Sequence, residues 1–501
     1  MPRHHIPTRL VTPTQIHHIH TLQGNPPGVL ISANLLKQMS YPFLKRLLSS
    51  SCTIVLQVET EEVWDNVRQH LKPNKNRNVI LLSTQLRLLE RMERTFPAYR
   101  RVYKSTNLNW NINDLIVHLN KYRIRTIMLP PTTASFLCHS LRKHALSVWS
   151  FAQDHRELHE LIISGVQTVS VPCDKQIKSL WNDYNQLRIL HRPVYVAHRG
   201  ASQLKLENTL PAFNLASRFG ADVLETDVRR TKDGHLVLFH DCTLKRLTGD
   251  KRSVADVTLD QMKSLIPVVE LETFLATYQH TSLTLLIELK EEQVVHKVVD
   301  LIQKYDLWHQ VHIQSFLPQV LKEVQAMQPR AGISLLYSHN KGSRVYLPKA
   351  TVQKTLLETQ ASLNPKIRRL KRFEKRRNDG LQSFYWTIRT KQELEKQWSL
   401  GKLGLIMDCI HHIQWYPVQL KVTTLPSRNG LGTLSFPAQE QAIFSDGSRE
   451  WVPVEWYSQT ATELRRVTED LKADTAIYVF CVYRLCLDGI SHSICSTLIR
   501  I

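Results

Sequence analysis

Within residues 194–241 the chain gathers His198, Arg199, Glu207, Glu225, Asp227 and His240 at or just after the ends of short apolar runs. Two imidazoles, a guanidinium and several carboxylates in one segment are the inventory for metal-assisted cleavage of a phosphate ester. A divalent cation needs hard oxygen ligands, a phosphodiester anion needs positive charge, and the departing alkoxide needs a proton. Glu225 and Asp227 stand two apart on one candidate strand, so both side chains point to the same face. Two carboxylates there repel unless a cation lies between them. Glu288, at the end of the fourth candidate strand, adds a third oxygen donor. Three carboxylates with positions left open for phosphate oxygens suit Mg2+ or Ca2+ better than zinc, which favours His and Cys. Arg199 offers a planar, permanently charged fork for phosphate, and Lys290, on the strand face of Glu288, adds a point charge.

These residues need a scaffold that brings strand ends together. From about 193 to 412, apolar runs at 194–198, 222–228, 236–240, 282–289, 311–315, 333–337, 381–388 and 403–408 alternate with amphipathic stretches such as Thr209–Phe219 and Gln293–Lys304. Eight such runs read as a parallel (β/α)8 TIM barrel, whose active sites are built at the C-terminal ends of the strands. On that frame His198 and His240 follow the first and third strands and face one phosphorus from two sides. The chain has 23 histidines, so number decides nothing; these two stand out by the motifs around them. His411 and His412 lack such a context and are read as surface residues.

His198-Arg-Gly-Ala-Ser202, Glu207-Asn-Thr209, Glu225-Thr-Asp227 and His240-Asp241 occur in an order and spacing that resemble the glycerophosphodiester phosphodiesterase family, whose barrel is like that of phosphatidylinositol phospholipase C. The resemblance implies hydrolysis of a small-molecule glycerophosphodiester to glycerol 3-phosphate and an alcohol. It implies that Glu225, Asp227 and Glu288 carry the metal and that His198 and His240 share the general acid and base roles. It places Glu207 in substrate orientation or behind it, and Trp386, in Tyr-Trp-Thr-Ile, near the substrate. Two departures stand out. Leu206 replaces a common proline, and Met407-Asp408-Cys409-Ile410 replaces a Thr-Asp-x-Pro turn. Competing readings are a related lysophospholipase D and a non-enzymatic binder of polyglycerol-phosphate (teichoic-acid-like) polymers.

Residues 1–190 read as a degenerate partial copy of the same barrel, covering its strands four to eight. Thr53–Glu59 lines up with Thr284–Lys290, and Leu146–Phe151 with Gln382–Thr387. Gln57 then stands where Glu288 stands and Glu59 where Lys290 stands, so the copy is expected to be non-catalytic. Half a barrel exposes sheet edges and must pair with something. Residues 415–501 read as a small antiparallel β-sandwich with a short helix near Thr462–Leu471, and the stretch Phe444–Trp456 resembles bacterial Ig-like repeats.

The net charge of +21 points to an anionic partner, a polymer or a membrane surface, and no nucleic-acid motif accompanies it. The basic stretch Lys366–Arg377 before the seventh strand is read as a solvated cationic face near the barrel top or a clamp for a polyanionic substrate. No signal peptide or transmembrane run is apparent, so the chain as written is expected in the cytoplasm, or at the cell surface if its N-terminus is incomplete. Cys481, Cys486 and Cys495 cluster without a zinc spacing.

Overall fold

Short β-branched runs separated by amphipathic helices close the first half of the chain into a complete barrel. The computed structural model describes residues 8–13, 28–48, 52–71, 78–173, 175–338, 346–367, 382–428, 433–468, 471–472 and 478–500. Strands β1 (Thr8–Thr12), β2 (Gly28–Ile31), β3 (Thr53–Gln57), β4 (Val79–Ser83), β5 (Arg100–Lys104), β6 (Thr126–Met128), β7 (Ser147–Phe151) and β8 (Thr168–Pro172) are parallel, and β1 pairs with β8. The expectation of a half barrel with open edges is therefore corrected. Its first two strands are only five and four residues long and carry no motif. Leu10, Leu30, Val55, Ile80, Leu82, Val102, Met128 and Trp149 fill the lumen. At Gly28 the strands pack closely: a Cβ there would lie 2.5 Å from Leu10 Cδ2 and 3.3 Å from the Thr53 carbonyl oxygen.

The second barrel comprises β9 (Val194–His198), β10 (Val223–Arg230), β12 (Thr284–Leu289), β13 (Val311–Ser315), β14 (Gly332–Tyr337), β15 (Ser362–Pro365), β16 (Tyr385–Ile388) and β17 (Gly404–Met407). The hairpin strand β11 (Leu236–Leu238) runs antiparallel to β10, off the barrel wall. Eight barrel strands are present as expected, but the run 236–240 is not one of them. The sixth strand is instead β15, Ser-Leu-Asn-Pro, too short and polar to register as an apolar run. Glu288 thus ends the third barrel strand, not the fourth. Gln57 and Glu288 are each the fifth residue of a third strand, so the two barrels align as whole copies.

Closure of the second barrel is incomplete between β15 and β16. There a single bridge, Lys366 to Trp386, replaces a ladder. The Phe384 N–H donates to Asn364 Oδ1 at 3.0 Å and Trp386 Nε1 donates to the Asn364 carbonyl at 2.7 Å. The basic stretch expected at Lys366–Arg377 lies mostly outside the described residues, which stop at Ile367 and resume at Gln382.

The first barrel plugs the lower mouth of the second. Its turn between the helix Pro131–Arg142 and β7 carries Ala145, 1% exposed, into a cluster with Val194, Val196, Val223, Leu286, Phe384 and Ile406. Around this plug Ser147 Oγ accepts the Gln382 N–H at 2.7 Å. Ser362 Oγ donates to the Ala145 carbonyl at 3.2 Å, so one turn ties both sides of the incomplete seam. Beside it, buried Asp222 meets His139 Nε2 at 2.8 Å and Arg192 Nη1 at 2.9 Å.

Residues after 415 form antiparallel sheets. Pro417–Lys421 pairs with Gln439–Phe444, and Glu455–Gln459 and Ile490–Cys495 flank Tyr478–Leu487. Where a helix was expected, Leu464–Arg466 is an edge strand beside Glu455–Gln459. Tyr457, Phe480 and Val482 pack into the core of the first barrel, and His159 of that barrel reaches Tyr184 and the Ser496 carbonyl. Among the described residues no helix is long and apolar enough to cross a membrane.

Three buried histidines at these junctions make stability depend on pH. Burial pushes His144 down to about 3, and His159 and His191 down to about 4. All three stay neutral when folded, whereas the unfolded chain protonates them near 6.5. Their contribution is full above that pH and is lost as pH falls towards 4. Melts between pH 7.5 and 5 should show a falling midpoint, with about 1–2 kcal/mol lost per histidine by pH 5. A midpoint unchanged over this range contradicts the reading.

Candidate active site

Strand register sets the acidic cluster. On β10, Glu225 lies opposite His198 of β9, and Asp227 lies opposite Glu288 of β12. The carboxylates of Glu225, Asp227 and Glu288 are buried, and one oxygen of each lies within 4.8 Å of the others. Lys290 Nζ sits 2.9 Å from Asp227 Oδ1 and 2.6 Å from Glu288 Oε1, and Arg199 Nε sits 3.2 Å from Asp227 Oδ2. Asn208 Nδ2 also donates to Asp227 Oδ2 at 3.2 Å. Gly200 makes the preceding turn possible: its φ is +79°, and a Cβ would lie 2.7 Å from the Ala212 backbone.

Two cations do not balance three buried carboxylates. Burial, together with Asp227 and Glu288, pushes the Glu225 carboxyl well above the ordinary carboxylate range. Burial also raises Glu288, against the pull of Lys290. Burial works against ionising Asp227 too, yet Lys290 and Arg199 hold it well below its usual value. Three hard oxygen donors within 4.8 Å of one another, carrying more negative charge than Lys290 and Arg199 offset, fit a divalent cation.

Each histidine is oriented by a carboxylate. His198 Nδ1 lies 2.5 Å from Asp408 Oδ1 and His240 Nδ1 lies 2.6 Å from Asp241 Oδ1. A carboxylate only accepts, so both Nδ1 atoms carry hydrogen and Nε2 is left to exchange protons. Burial lowers the pKa of both imidazoles, that of His240 to about 4, with Arg199 acting in the same direction on each.

The structure therefore brings together His198, Arg199, Glu225, Asp227, Glu288, Lys290 and, at the end of its hairpin, His240. Glu207 does not join the acidic cluster; Arg199 Nη1 meets it at 3.2 Å and Arg246 grips it from the other side. Trp386 stands at the barrel seam above the apolar plug, edge-on to Phe316 at 5.5 Å. Sequence reasoning had treated Asp408 only as part of a departure from the family turn, and had given Asp241 and Arg246 no role. It also missed Gln314, whose Nε2 donates to Glu225 Oε1 at 3.2 Å while Asn364 Nδ2 donates to its oxygen at 3.1 Å. The usable signal for Gln314 was its place on the same strand face as the ligands, one strand along.

A profile of the glycerophosphoryl diester phosphodiesterase family matches residues 198–412. A protein of Caldanaerobacter subterraneus subsp. tengcongensis, named glycerophosphodiester phosphodiesterase, is 30% identical over 234 residues, covering 43% of this chain and 94% of that protein. The Bacillus subtilis protein YhdW is 29% identical over 233 residues, with 42% and 93% covered. A solved glycerophosphodiester phosphodiesterase structure from Thermotoga maritima is 25% identical and covers 44% of this chain and 97% of that one, with a TM-score of 0.37.

Proposed function

Because the chain belongs to the glycerophosphoryl diester phosphodiesterase family through residues 198–412, we propose that it is a phosphodiesterase hydrolysing glycerophosphodiesters to glycerol 3-phosphate and an alcohol. The observation that carries this reading is the convergence of three buried carboxylates, Arg199 and Lys290 with two histidines whose Nδ1 atoms are each held by an aspartate.

Glu225, Asp227 and Glu288 would hold a divalent cation, Mg2+ or Ca2+, which when bound supplies charge neutralisation of the phosphate oxygens. Arg199 and Lys290 bind and orient the same group. One histidine takes a proton at Nε2 from the nucleophile, a water or the glycerol 2-hydroxyl, and the other gives a proton at Nε2 to the departing alkoxide. Attack by the 2-hydroxyl yields a cyclic phosphate that water then opens. Trp386 would bound the substrate on the seam side.

The first barrel is read as non-catalytic. Gln57 Nε2 donates to Glu59 Oε1 at 2.7 Å, and the other oxygen of Glu59 takes the Thr84 N–H at 2.9 Å, so both side chains are spent on each other and on a neighbouring loop. The Ig-like reading of residues 415–501 rests on the Phe444–Trp456 stretch. A paired set of oriented histidines favours turnover over non-enzymatic polymer binding.

The test is release of glycerol 3-phosphate from glycerophosphocholine with and without EDTA. Turnover is expected to vanish with the chelator and to return with added Mg2+ or Ca2+. Absence of metal-dependent turnover on this substrate and on a polyglycerol-phosphate polymer would overturn the enzymatic reading.

A further inference from the structure

Arg246 lies outside every motif that marks the site, on the single turn Lys245–Thr248, with its side chain 45% exposed. Its Nε meets Asp241 Oδ2 at 2.5 Å, while Nη1 and Nη2 meet Glu207 Oε2 and Oε1 at 2.9 and 2.5 Å. Asp241 in turn holds His240 Nδ1 at 2.6 Å, and Glu207 holds Arg199 Nη1 at 3.2 Å. The proton-transferring His240 and the phosphate-binding Arg199 therefore both lean on carboxylates gripped by one guanidinium.

Topology explains why such a grip is needed. Glu207 belongs to the loop after β9, a wall strand, whereas His240 and Asp241 follow β11, which pairs with β10 alone among the strands and is not in the wall. Barrel register fixes Glu225, Asp227, Glu288 and His198 relative to one another, whereas His240 is held only through its hairpin. The Phe239 N–H donates to the Asp227 carbonyl at 2.9 Å and Arg229 Nε to the His240 carbonyl at 3.0 Å, which anchor the backbone and leave the imidazole to Asp241. Among the described residues the His198 arm has no comparable fork. Arg389 Nε reaches Asp408 Oδ2 at 3.4 Å, and that side chain is 64% exposed.

We propose that Arg246 is a positioning residue of the reaction: it ties the His240 hairpin to the Glu207–Arg199 loop and so sets the place of one proton-transfer group relative to the bound phosphate. The inference rests on the phosphodiesterase reading of the site. A guanidinium can hold two carboxylates at once because its donors diverge in a rigid plane; a lysine ammonium cannot reproduce that fork.

The test uses the full chain with saturating Mg2+ or Ca2+ and glycerophosphocholine, comparing the parent with Arg246→Gln, Arg246→Lys, Asp241→Asn, the Arg246→Gln/Asp241→Asn double variant and Arg389→Gln. A misplaced group of this kind costs on the order of 100-fold, so Arg246→Gln is expected to lower kcat by about 30- to 100-fold with KM changed by less than about five-fold. Arg246→Lys should not rescue it. The double variant should lose no more than its worse single, because both changes release the same hairpin. Arg389→Gln should stay within about three-fold of the parent, since an exposed single contact positions little. The proposal is overturned if Arg246→Gln keeps kcat within three-fold, if the two losses multiply, or if its kcat loss is matched by a collapse of the melting midpoint. No turnover in the parent overturns the phosphodiesterase reading and this inference with it, whereas an active parent with an unaffected Arg246→Gln overturns this inference alone.

Discussion

Replacing either His198 or His240 with alanine is expected to lower kcat by about 100- to 10,000-fold, the range seen when a general acid or base is removed. KM should move little, because neither imidazole is among the groups assigned to hold the phosphate. The double variant should be hardly worse than the poorer single, since a proton taken and a proton given belong to one turnover. Asp408→Asn provides a graded control. It keeps a polar partner 2.5 Å from His198 Nδ1, but an amide presents either its oxygen or its NH2 group there, so the ring loses its enforced tautomer. An intermediate loss is expected. Steady-state kinetics on glycerophosphocholine with saturating metal check all four variants. Retention of parent-like kcat in His198→Ala or His240→Ala removes that histidine from the chemistry.

The second large effect lies far from the site. Ala145→Asp should destabilise the chain by about 4 kcal/mol, because it drives an unpaired carboxylate into an apolar plug. Ala145 is 1% exposed, and its neighbours there are Val194, Val196, Val223, Leu286, Phe384 and Ile406. Its φ of +56° is a conformation that aspartate tolerates, so the backbone is not the cause. Ala145→Gly separates the two explanations: glycine suits that φ and removes only a methyl, so it should cost no more than about 1 kcal/mol. A thermal or urea melt of the full chain reads both. If Ala145→Asp melts like the parent, the turn is not seated in the barrel mouth in solution.

How much of this was legible in advance follows from where information lies along the chain. His198, Arg199, Glu225, Asp227 and Glu288 sit on or immediately after Val- and Leu-rich strands, so local pattern placed both the side chains and their scaffold. β15 was missed because its inward groups are Ser362 and Asn364 and its last residue is Pro365. A polar lumen residue that serves Gln314 erases the apolar signal that marks a strand. The hairpin strand β11 was mistaken for a wall strand for the opposite reason: Leu-Val-Leu is apolar on both faces, yet it packs beside the barrel. The partner of His198 is Asp408, 210 positions away. Only closure of the barrel between β9 and β17 brings the two together, and no spacing rule reaches that far. The plug is a contact between two copies of one fold, and it depends on their mutual docking, which neither copy encodes alone.

The comparison of third strands suggests that swapping Gln57 and Glu59 back to glutamate and lysine would reawaken the first copy. The architecture argues that the loss is not reversible by such steps. In the second copy the chain leaves β10, forms the β11 hairpin with His240 and Asp241, and only then enters β12; in the first, β2 ends at Ile31 and β3 begins at Thr53. Among the described residues that connection holds the helices Ala33–Gln38 and Tyr41–Leu48 and no hairpin on which a second imidazole could be carried. Trp149, 2% exposed, packs in the lumen with apolar residues, which offer a phosphate no charged group. Grafting activity onto that copy would mean transplanting a whole hairpin with its arginine tether and placing charged groups in the lumen.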